Sequence, residues 1–163
     1  MKYRVEAGRL KVEARSRVHD TTTTWDKISG EVEADPEAIE KATATFDVDM
    51  TSFDAGDWLK NRKLRKDFDM DGHPRATFTL RKVSEVVRDG SKFTAKAEGV
   101  LAWRGKEVAL VLSGSGSLDG ARLEATGTFV LDIRQLGLSA PRFFMIKMED
   151  EVAIDVSVKG VPA

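Results

Sequence analysis

The chain has 163 residues, enough for one domain whose core buries roughly 70% of the surface exposed on unfolding. Its 26 basic and 27 acidic side chains nearly cancel, so no overall field attracts nucleic acid or an anionic membrane. The absence of cysteine excludes disulfides, thiolate chemistry and zinc sites built on sulfur. The N-terminus contains no apolar run that suits a signal peptide or a membrane span. We therefore expect a single domain over residues 1–163 without integral membrane association, cytoplasmic, or periplasmic if a leader has been removed.

Alternation of apolar and polar residues dominates the sequence and is typical of strands with one buried face. A short segment at residues 3–6 is expected to begin the sheet. The alternation then recurs in eight further segments, at residues 10–18, 28–34, 42–50, 76–80, 93–103, 108–116, 123–131 and 152–158. Turn sequences such as Asp89-Gly90 separate them. The pattern predicts an all-β fold, an up-and-down antiparallel β-barrel of about eight strands, and a β-sandwich is the alternative.

One helical segment interrupts the strands after the strand that ends near Met50. It covers residues 54–66, DAGDWLKNRKLRK. An Asp at its start suits a helix N-cap, and its basic residues toward the C-terminal end suit the helix dipole. The segment is too short to connect parallel strands, so we expect it to form a flap across one end of the barrel.

The predicted inward face carries many small residues near mid-strand. They are Ala14, Gly30, Ala44, Ala97, Gly99, Gly114, Ala125 and Gly127. An eight-stranded barrel is just wide enough to be filled by side chains or to hold one small ligand. Small inward residues favour a cavity, while the alternative is that Gly and Ala mark bends, bulges or the taper of a filled barrel.

A cavity with this lining would be apolar, with aromatic and aliphatic walls and no charged side chain. The residues predicted to contact a ligand are Ala14, Phe46, Phe78, Phe93, Ala97, Gly99, Leu110, Leu112, Ala125, Phe129, Phe143 and Phe144. Such a site binds hydrocarbon but cannot polarise or deprotonate a substrate. We therefore predict a binding protein with no catalytic residues and no cofactor, although an enzyme acting on a hydrophobic substrate is a weaker alternative.

Four titratable residues are interpreted as ordinary surface groups. His19 and His73 are far apart and lack metal-ligand spacing, so no metal site is predicted. Asp47 and Asp49 alternate with apolar neighbours and should point outward, whereas a glycosidase-like pair needs two carboxylates facing each other across a cleft.

The densest basic stretch lies at residues 60–66. A solvated helix face is one interpretation. The other is a cationic rim that holds an anionic headgroup at the barrel mouth, with Lys60 and Lys63 as the headgroup residues. Nucleic-acid binding is not expected, because acidic residues flank the stretch and no aromatic platform is interleaved with it.

Residues 142–148, RFFMIKM, are the most hydrophobic loop of the chain. Such a run should not stay exposed. In order of preference, it plugs a barrel end, lines a ligand portal or forms a dimer contact.

Four stretches of the chain carry a resemblance to a known family. They are residues 3–6 with 16–19 and 28–32, residues 50–80, residues 99–112, and residues 129–138 with Asp150-Glu151-Val152. The second is the most specific, since it combines an acidic-Gly turn, a short helix with a Leu, an Asp-Phe pair and Pro-x-x-x-Phe. These features lie at Asp54, Gly56, Leu64, Asp67-Phe68, Pro74 and Phe78. Taken in order, the stretches resemble the YceI-like family of lipid- and polyisoprenoid-binding, lipocalin-like barrels.

The resemblance implies a bound polyisoprenoid, quinone or fatty acyl amphiphile inside the barrel, without metal or catalysis. The helix departs from the family pattern at Lys60-Asn61 and Lys63, where an Arg-Asp pair and a His are usual, and His73 replaces an aromatic residue. We expect non-catalytic sequestration or transport of a long-chain amphiphile. The alternative is a filled barrel that uses residues 143–148 for a dimer or partner contact.

Overall fold

The structure, a computed structural model, describes residues 1–143 and 146–163, with the backbone alone at Phe143 and Ile146. The strands are β1 (Lys2–Arg15), β2 (Asp20–Trp25), β3 (Ile28–Glu33), β4 (Thr43–Asp49), β5 (Arg75–Asp89), β6 (Lys92–Trp103), β7 (Lys106–Leu118), β8 (Leu123–Asp132), β9 (Arg142–Phe143), β10 (Ile146–Lys147) and β11 (Glu151–Pro162). The helix α1 spans Trp58–Asp67, and 3-10 turns lie at Ile39–Lys41, Met50–Ser52 and Ile133–Leu136.

The main sheet is closed into a barrel. Each strand from β3 to β8 pairs antiparallel with the next, β8 pairs with β11, and β11 pairs with β1. Both β2 and β3 pair with β1 along different parts of its length, so together they make one of eight positions around the barrel. The predicted eight-stranded antiparallel barrel with one short helix is therefore confirmed, and the β-sandwich is excluded.

The strands of the structure differ from the predicted strands in three places. Residues 3–6 and 10–15 form one strand, β1, which ends at Arg15 because the Ser16 hydroxyl donates to the His19 carbonyl (2.6 Å) and closes a turn. The threonine run from Asp20 forms β2, which apolar alternation alone could not indicate. The strand β5 continues to Asp89, and its irregular pairing with β6 interrupts the two-residue period there.

The two ends of the barrel are packed with different side chains. We call the end that carries α1, the β1–β2 turn and the β6–β7 turn the helix end, and the opposite end the hairpin end. The buried core of the helix end includes Trp25, Met50, Phe53, Leu64, Met70, Trp103, Val108, Leu110, Leu112, Leu131, Leu136, Met148, Val152 and Ile154. The buried core of the hairpin end consists of Tyr3, Val32, Ala34, Ile39, Ala44, Leu118 and Leu123.

Local hydrogen bonds fix α1 across the helix end. The Asp57 carboxylate caps the helix by accepting from the Lys60 backbone N–H at 2.8 Å. Near its C-terminal end, the Phe68 carbonyl accepts a hydrogen bond from the Arg104 guanidinium. Only Leu64 of α1 is buried, so most of the helix surface faces away from the barrel.

Candidate ligand-binding interior

A set of inward-facing side chains next to the two buried cores keeps part of its surface accessible. They contact the buried cores but are only half-buried themselves, and they include Leu10, Val12, Ala14, Phe46, Val48, Phe78, Phe93, Ala97, Leu101, Ala125, Phe129 and Val156. At the ends, by contrast, Trp103 and Leu118 are almost fully buried. A side chain that faces inward, touches the core and still has accessible surface borders unfilled space. Packing around these side chains is therefore looser than in the two buried cores.

Part of the barrel interior is filled by aromatic rings that cover glycines. Gly30 pairs with Phe46, and Phe46 pairs with Phe78 in the next strand. The two rings stack with centroids 6.4 Å apart and an interplanar angle of 20°. A Cβ added at Gly99 would lie 2.6 Å from Cε2 of Phe78, so that ring occupies the space beside Gly99. We call Gly30, Phe46, Phe78 and Gly99 the ring-covered wall.

The neighbouring part of the interior is lined by small residues on the adjacent strands β6, β7 and β8. Gly114 pairs with Ala95 on β6 and with Gly127 on β8. A Cβ added at Gly114 would meet only two neighbouring carbonyl oxygens, of Thr126 at 3.5 Å and of Ala95 at 3.7 Å, and no side chain within 4 Å. No side chain therefore covers Gly114, whereas at Gly127 an added Cβ would lie 3.2 Å from Cδ2 of Leu112. We call Ala95, Ala97, Gly114, Gly116, Ala125 and Gly127 the small-residue wall.

The predicted ligand-contacting residues divide into three groups. Ala14, Phe78, Ala97 and Phe129 are half-buried against the helix-end core. Phe46, Phe93 and Ala125 are half-buried against the hairpin-end core. Leu110, Leu112 and Gly99 are buried.

The buried group and the loop at residues 142–148 do not match the prediction that all these residues line an open cavity. Leu110 and Leu112 belong to the packed core of the helix end, and Gly99 is covered by a ring. The side chain of Phe143 and the whole of Phe144 lie outside the described residues. Met148, at the end of the same apolar loop, is buried in the helix-end core, so this end of the loop contributes to closing the barrel.

One polar group of the interior has no partner. The side chains of Thr21 and Thr23 on β2 are the buried polar side chains of the described residues. The Thr21 hydroxyl has no hydrogen-bond partner among those residues. The sequence could not reveal this position, because the threonine run has no alternation that separates inward from outward residues.

The basic helix is more strongly paired than its sequence suggests. Lys63 Nζ lies 2.9 Å from a carboxylate oxygen of Asp67, and Arg65 lies 2.6 Å from Asp71. Lys60 is half-buried on the same helix. An anionic headgroup that bound Lys63 would therefore have to compete with Asp67.

The carboxylates at Asp47 and Asp49 have structural partners. Arg75 donates two hydrogen bonds to Asp47, at 2.9 and 2.8 Å, and the Thr77 hydroxyl donates a third at 2.6 Å. The hydrogen bonds from Arg75, with a smaller contribution from Thr77, hold the pKa of Asp47 below its ordinary value. Asp49 accepts from the Thr51 hydroxyl and backbone N–H, which lowers its pKa likewise. Both carboxylates stabilise local structure at the start and end of strands.

His73 also has the surroundings of an ordinary loop residue. His73 Nε2 lies 3.8 Å from Asp69, and the His73 backbone carbonyl accepts from the Trp103 indole at 2.9 Å. Within residues 1–143 and 146–163, no three His, Cys, Asp or Glu side chains come together in a group suited to a metal ion. The same residues include no helix with the length and apolar character needed to cross a bilayer.

Comparison with known proteins agrees with this architecture. The model of the YceI-like domain family matches residues 3–160. The chain belongs to the YceI-like domain family. A search of curated protein sequences finds no match. The family membership confirms the resemblance drawn from the four sequence stretches, and it indicates a binding domain rather than an enzyme.

Three solved structures share the fold of this chain at low sequence identity. A polyisoprenoid binding domain from Saccharophagus degradans, implicated in plant cell wall breakdown, has a TM-score of 0.80 at 16% identity, over 99% of this chain and 98% of that chain. Burkholderia cenocepacia BcnA has a TM-score of 0.77 at 23% identity, over 93% of this chain and 95% of that chain. The Campylobacter jejuni YCEI protein has a TM-score of 0.74 at 14% identity, over 91% and 89%. At these identities the likeness is one of fold.

Proposed function

We propose that this YceI-like protein sequesters or transports a long-chain amphiphile, a polyisoprenoid, quinone or fatty acyl lipid, with the chain lying against the small-residue wall. The observation that carries the proposal is the open space in front of Gly114, where no side chain lies within 4 Å of an added Cβ. Half-buried apolar side chains such as Phe93 and Phe129 border the same region. Phe93 on β6 and Phe129 on β8 extend the apolar surface on the two strands that pair with β7.

The chemistry of the interior favours hydrocarbon over polar ligands. Transfer of each methylene from water into such a site contributes about 0.8 kcal/mol, so a long chain binds tightly with few polar contacts. The name of the S. degradans neighbour, a polyisoprenoid binding domain, supports the same class of ligand. Lys60 and Lys63 on α1 are the proposed contacts for an anionic headgroup, which would displace Asp67 from Lys63.

A titration with a fluorescent long-chain fatty acid tests the proposal. Gly114→Leu places a side chain in the open space, and its Cβ meets no atom closer than 3.5 Å. We expect it to lower affinity at least tenfold, because about two buried methylenes are worth more than 1.4 kcal/mol. Ala97→Phe and Ala125→Phe should act in the same direction.

Gly120→Leu is the matched control, because an added Cβ at Gly120 meets nothing within 4 Å in the exposed β7–β8 turn. This variant should bind the probe as the wild type does. Equal affinity of wild type and Gly114→Leu, with both proteins folded, would overturn the proposed binding site. Native mass spectrometry of the purified wild type adds a second readout, since a co-purified lipid supports carriage and an empty dimer supports an interaction protein.

A further inference from the structure

The N-terminal end of α1 exposes two large apolar side chains. Trp58 and Leu59 have 68% and 60% of their surface exposed. Leu64 is the residue of α1 that faces the core, and the four-residue spacing places Arg62 and Lys66 on the outward side with Trp58. We call Trp58, Leu59, Arg62 and Lys66 the exposed helix face.

The charges of this face are available to an external anion. The Arg62 guanidinium lies 5.5 Å from the centre of the Trp58 ring, so a cation and an aromatic ring are presented together. In the part of the chain that the structure describes, Lys63 and Arg65 of α1 form ion pairs with Asp67 and Asp71. Arg62 and Lys66 take part in none of these pairs.

The combination of an exposed Trp, an exposed Leu and two basic residues suits the interface of a bilayer. Tryptophan prefers the headgroup level of membranes, and a helix whose apolar side chains enter the interface is held further by basic residues near anionic lipid. A stable protein partner usually needs an interface of at least about 1,000 Å². Two apolar side chains on one turn of a helix supply far less, and a bilayer does not require that area.

We propose that the exposed helix face docks on bilayers that contain anionic lipid, with Trp58 and Leu59 in the interface and Arg62 and Lys66 on lipid phosphates. The inference rests on the proposed function, because an amphiphilic cargo dissolves in bilayers and docking brings the helix end of the barrel to that source. Val18 in the β1–β2 turn, 73% exposed, is a further exposed apolar side chain at the same end of the barrel.

Intrinsic fluorescence is well suited to a direct test. Trp25 and Trp103 are only 6% and 7% exposed, so solvent-sensitive changes in emission report mainly on Trp58. We expect a blue shift of Trp58 emission on addition of vesicles made of equal parts phosphatidylcholine and phosphatidylglycerol. Vesicles of phosphatidylcholine alone should give a much smaller shift.

Cosedimentation with the same vesicles measures how much the residues of the exposed helix face contribute to vesicle affinity. Trp58→Ser with Leu59→Ser should weaken binding about tenfold or more, the effect of removing one to two large apolar side chains from an apolar environment. Arg62→Gln with Lys66→Gln should weaken binding to the mixed vesicles about fivefold per charge.

Matched controls come from the barrel wall. Val111→Ser with Val130→Ser removes two apolar side chains of similar exposure, 56% and 63%, and Lys92→Gln with Lys159→Gln removes two exposed charges elsewhere. Both controls should bind vesicles as the wild type does. Absence of vesicle binding by the wild type, or equal loss in the control variants, would overturn the docking proposal.

A second copy of the chain is the competing occupant of the exposed helix face. A dimer in sedimentation velocity that disappears in the Trp58→Ser, Leu59→Ser variant would assign the face to that copy and overturn docking. The Gly114→Leu variant should keep wild-type vesicle binding, because its substitution lies inside the barrel. If the wild type binds vesicles but does not bind the fatty acid, the proposed cargo is refuted and the docking surface is not.

Discussion

Gly99 in the ring-covered wall and Gly114 in the small-residue wall are both inward-facing glycines, yet only Gly114 leaves room for an added side chain. Phe78 occupies the space beside Gly99, whereas no side chain covers Gly114. The difference arises from the neighbouring strands, because Phe46 on β4 covers Gly30 of β3 and Phe78 on β5 covers Gly99 of β6. Around Gly114, by contrast, β6 and β8 place Ala95 and Gly127. An inward glycine thus marks open space only when its cross-strand neighbours are small as well.

The largest expected effect is at the ring-covered wall. Gly99→Ala should lower the free energy of unfolding by about 2 kcal/mol, because the added methyl group collides with the Phe78 ring and with the Thr79 carbonyl. Urea denaturation measures the change. In the double variant with Phe78→Leu the two costs should be less than additive, and strict additivity would show that the ring is not what fills this wall.

The second effect is a smaller change of opposite sign, a gain in stability at Thr21, which is buried in the interior. Thr21→Val should raise the free energy of unfolding by about 1 kcal/mol, because it removes a buried hydroxyl without a partner among the described residues. The same urea experiment measures it, with Thr22→Val on the exposed side of β2 as the control. A loss of stability at Thr21 would indicate that water reaches the hydroxyl and that the open space extends to β2.

The third effect concerns the small-residue wall and is the counterpart of the Gly99 variant. Gly114→Ala should raise the free energy of unfolding by about 0.5 kcal/mol, since the added methyl group meets no close atom and the unfolded chain loses freedom. Thermal and urea unfolding both report this change. A loss comparable to that of Gly99→Ala would mean that the two walls are equally filled.

The smallest effect is a pH dependence of the strand pair that carries Phe46 and Phe78. Arg75 depresses the pKa of Asp47 in the folded protein. The contribution of Asp47 to the free energy of unfolding is therefore fully present above the unfolded pKa of about 3.9. It is lost as the pH falls through the folded pKa. Arg75→Gln should raise the pKa of Asp47, as followed by carboxyl-carbon NMR, and should reduce this loss of stability in acid. Arg134→Gln, which removes the partner of Asp132 at the helix end, should leave the Asp47 titration unchanged.

The barrel could be predicted from the sequence because alternation in β4, β6, β7, β8 and β11 reports directly which residues face inward. The same signal failed at Thr21, where the residues are uniformly polar, and beyond Leu80 of β5, where irregular pairing shifts the period. The candidate site was predictable as a set of inward positions. Which of them border space was not, because the cover over Gly99 comes from Phe78, a cross-strand neighbour 21 positions away, and only the register brings the two together.

The most direct test of the central claim is a crystal structure with a long-chain fatty acid that carries bromine near the end of its chain. The anomalous signal of bromine locates the chain independently of the protein side chains. We predict that the bromine lies inside the barrel in contact with the small-residue wall around Gly114, and that Gly114→Leu removes it. A bromine position outside the barrel, or one that persists unchanged in Gly114→Leu, would contradict the proposal that this wall holds the cargo.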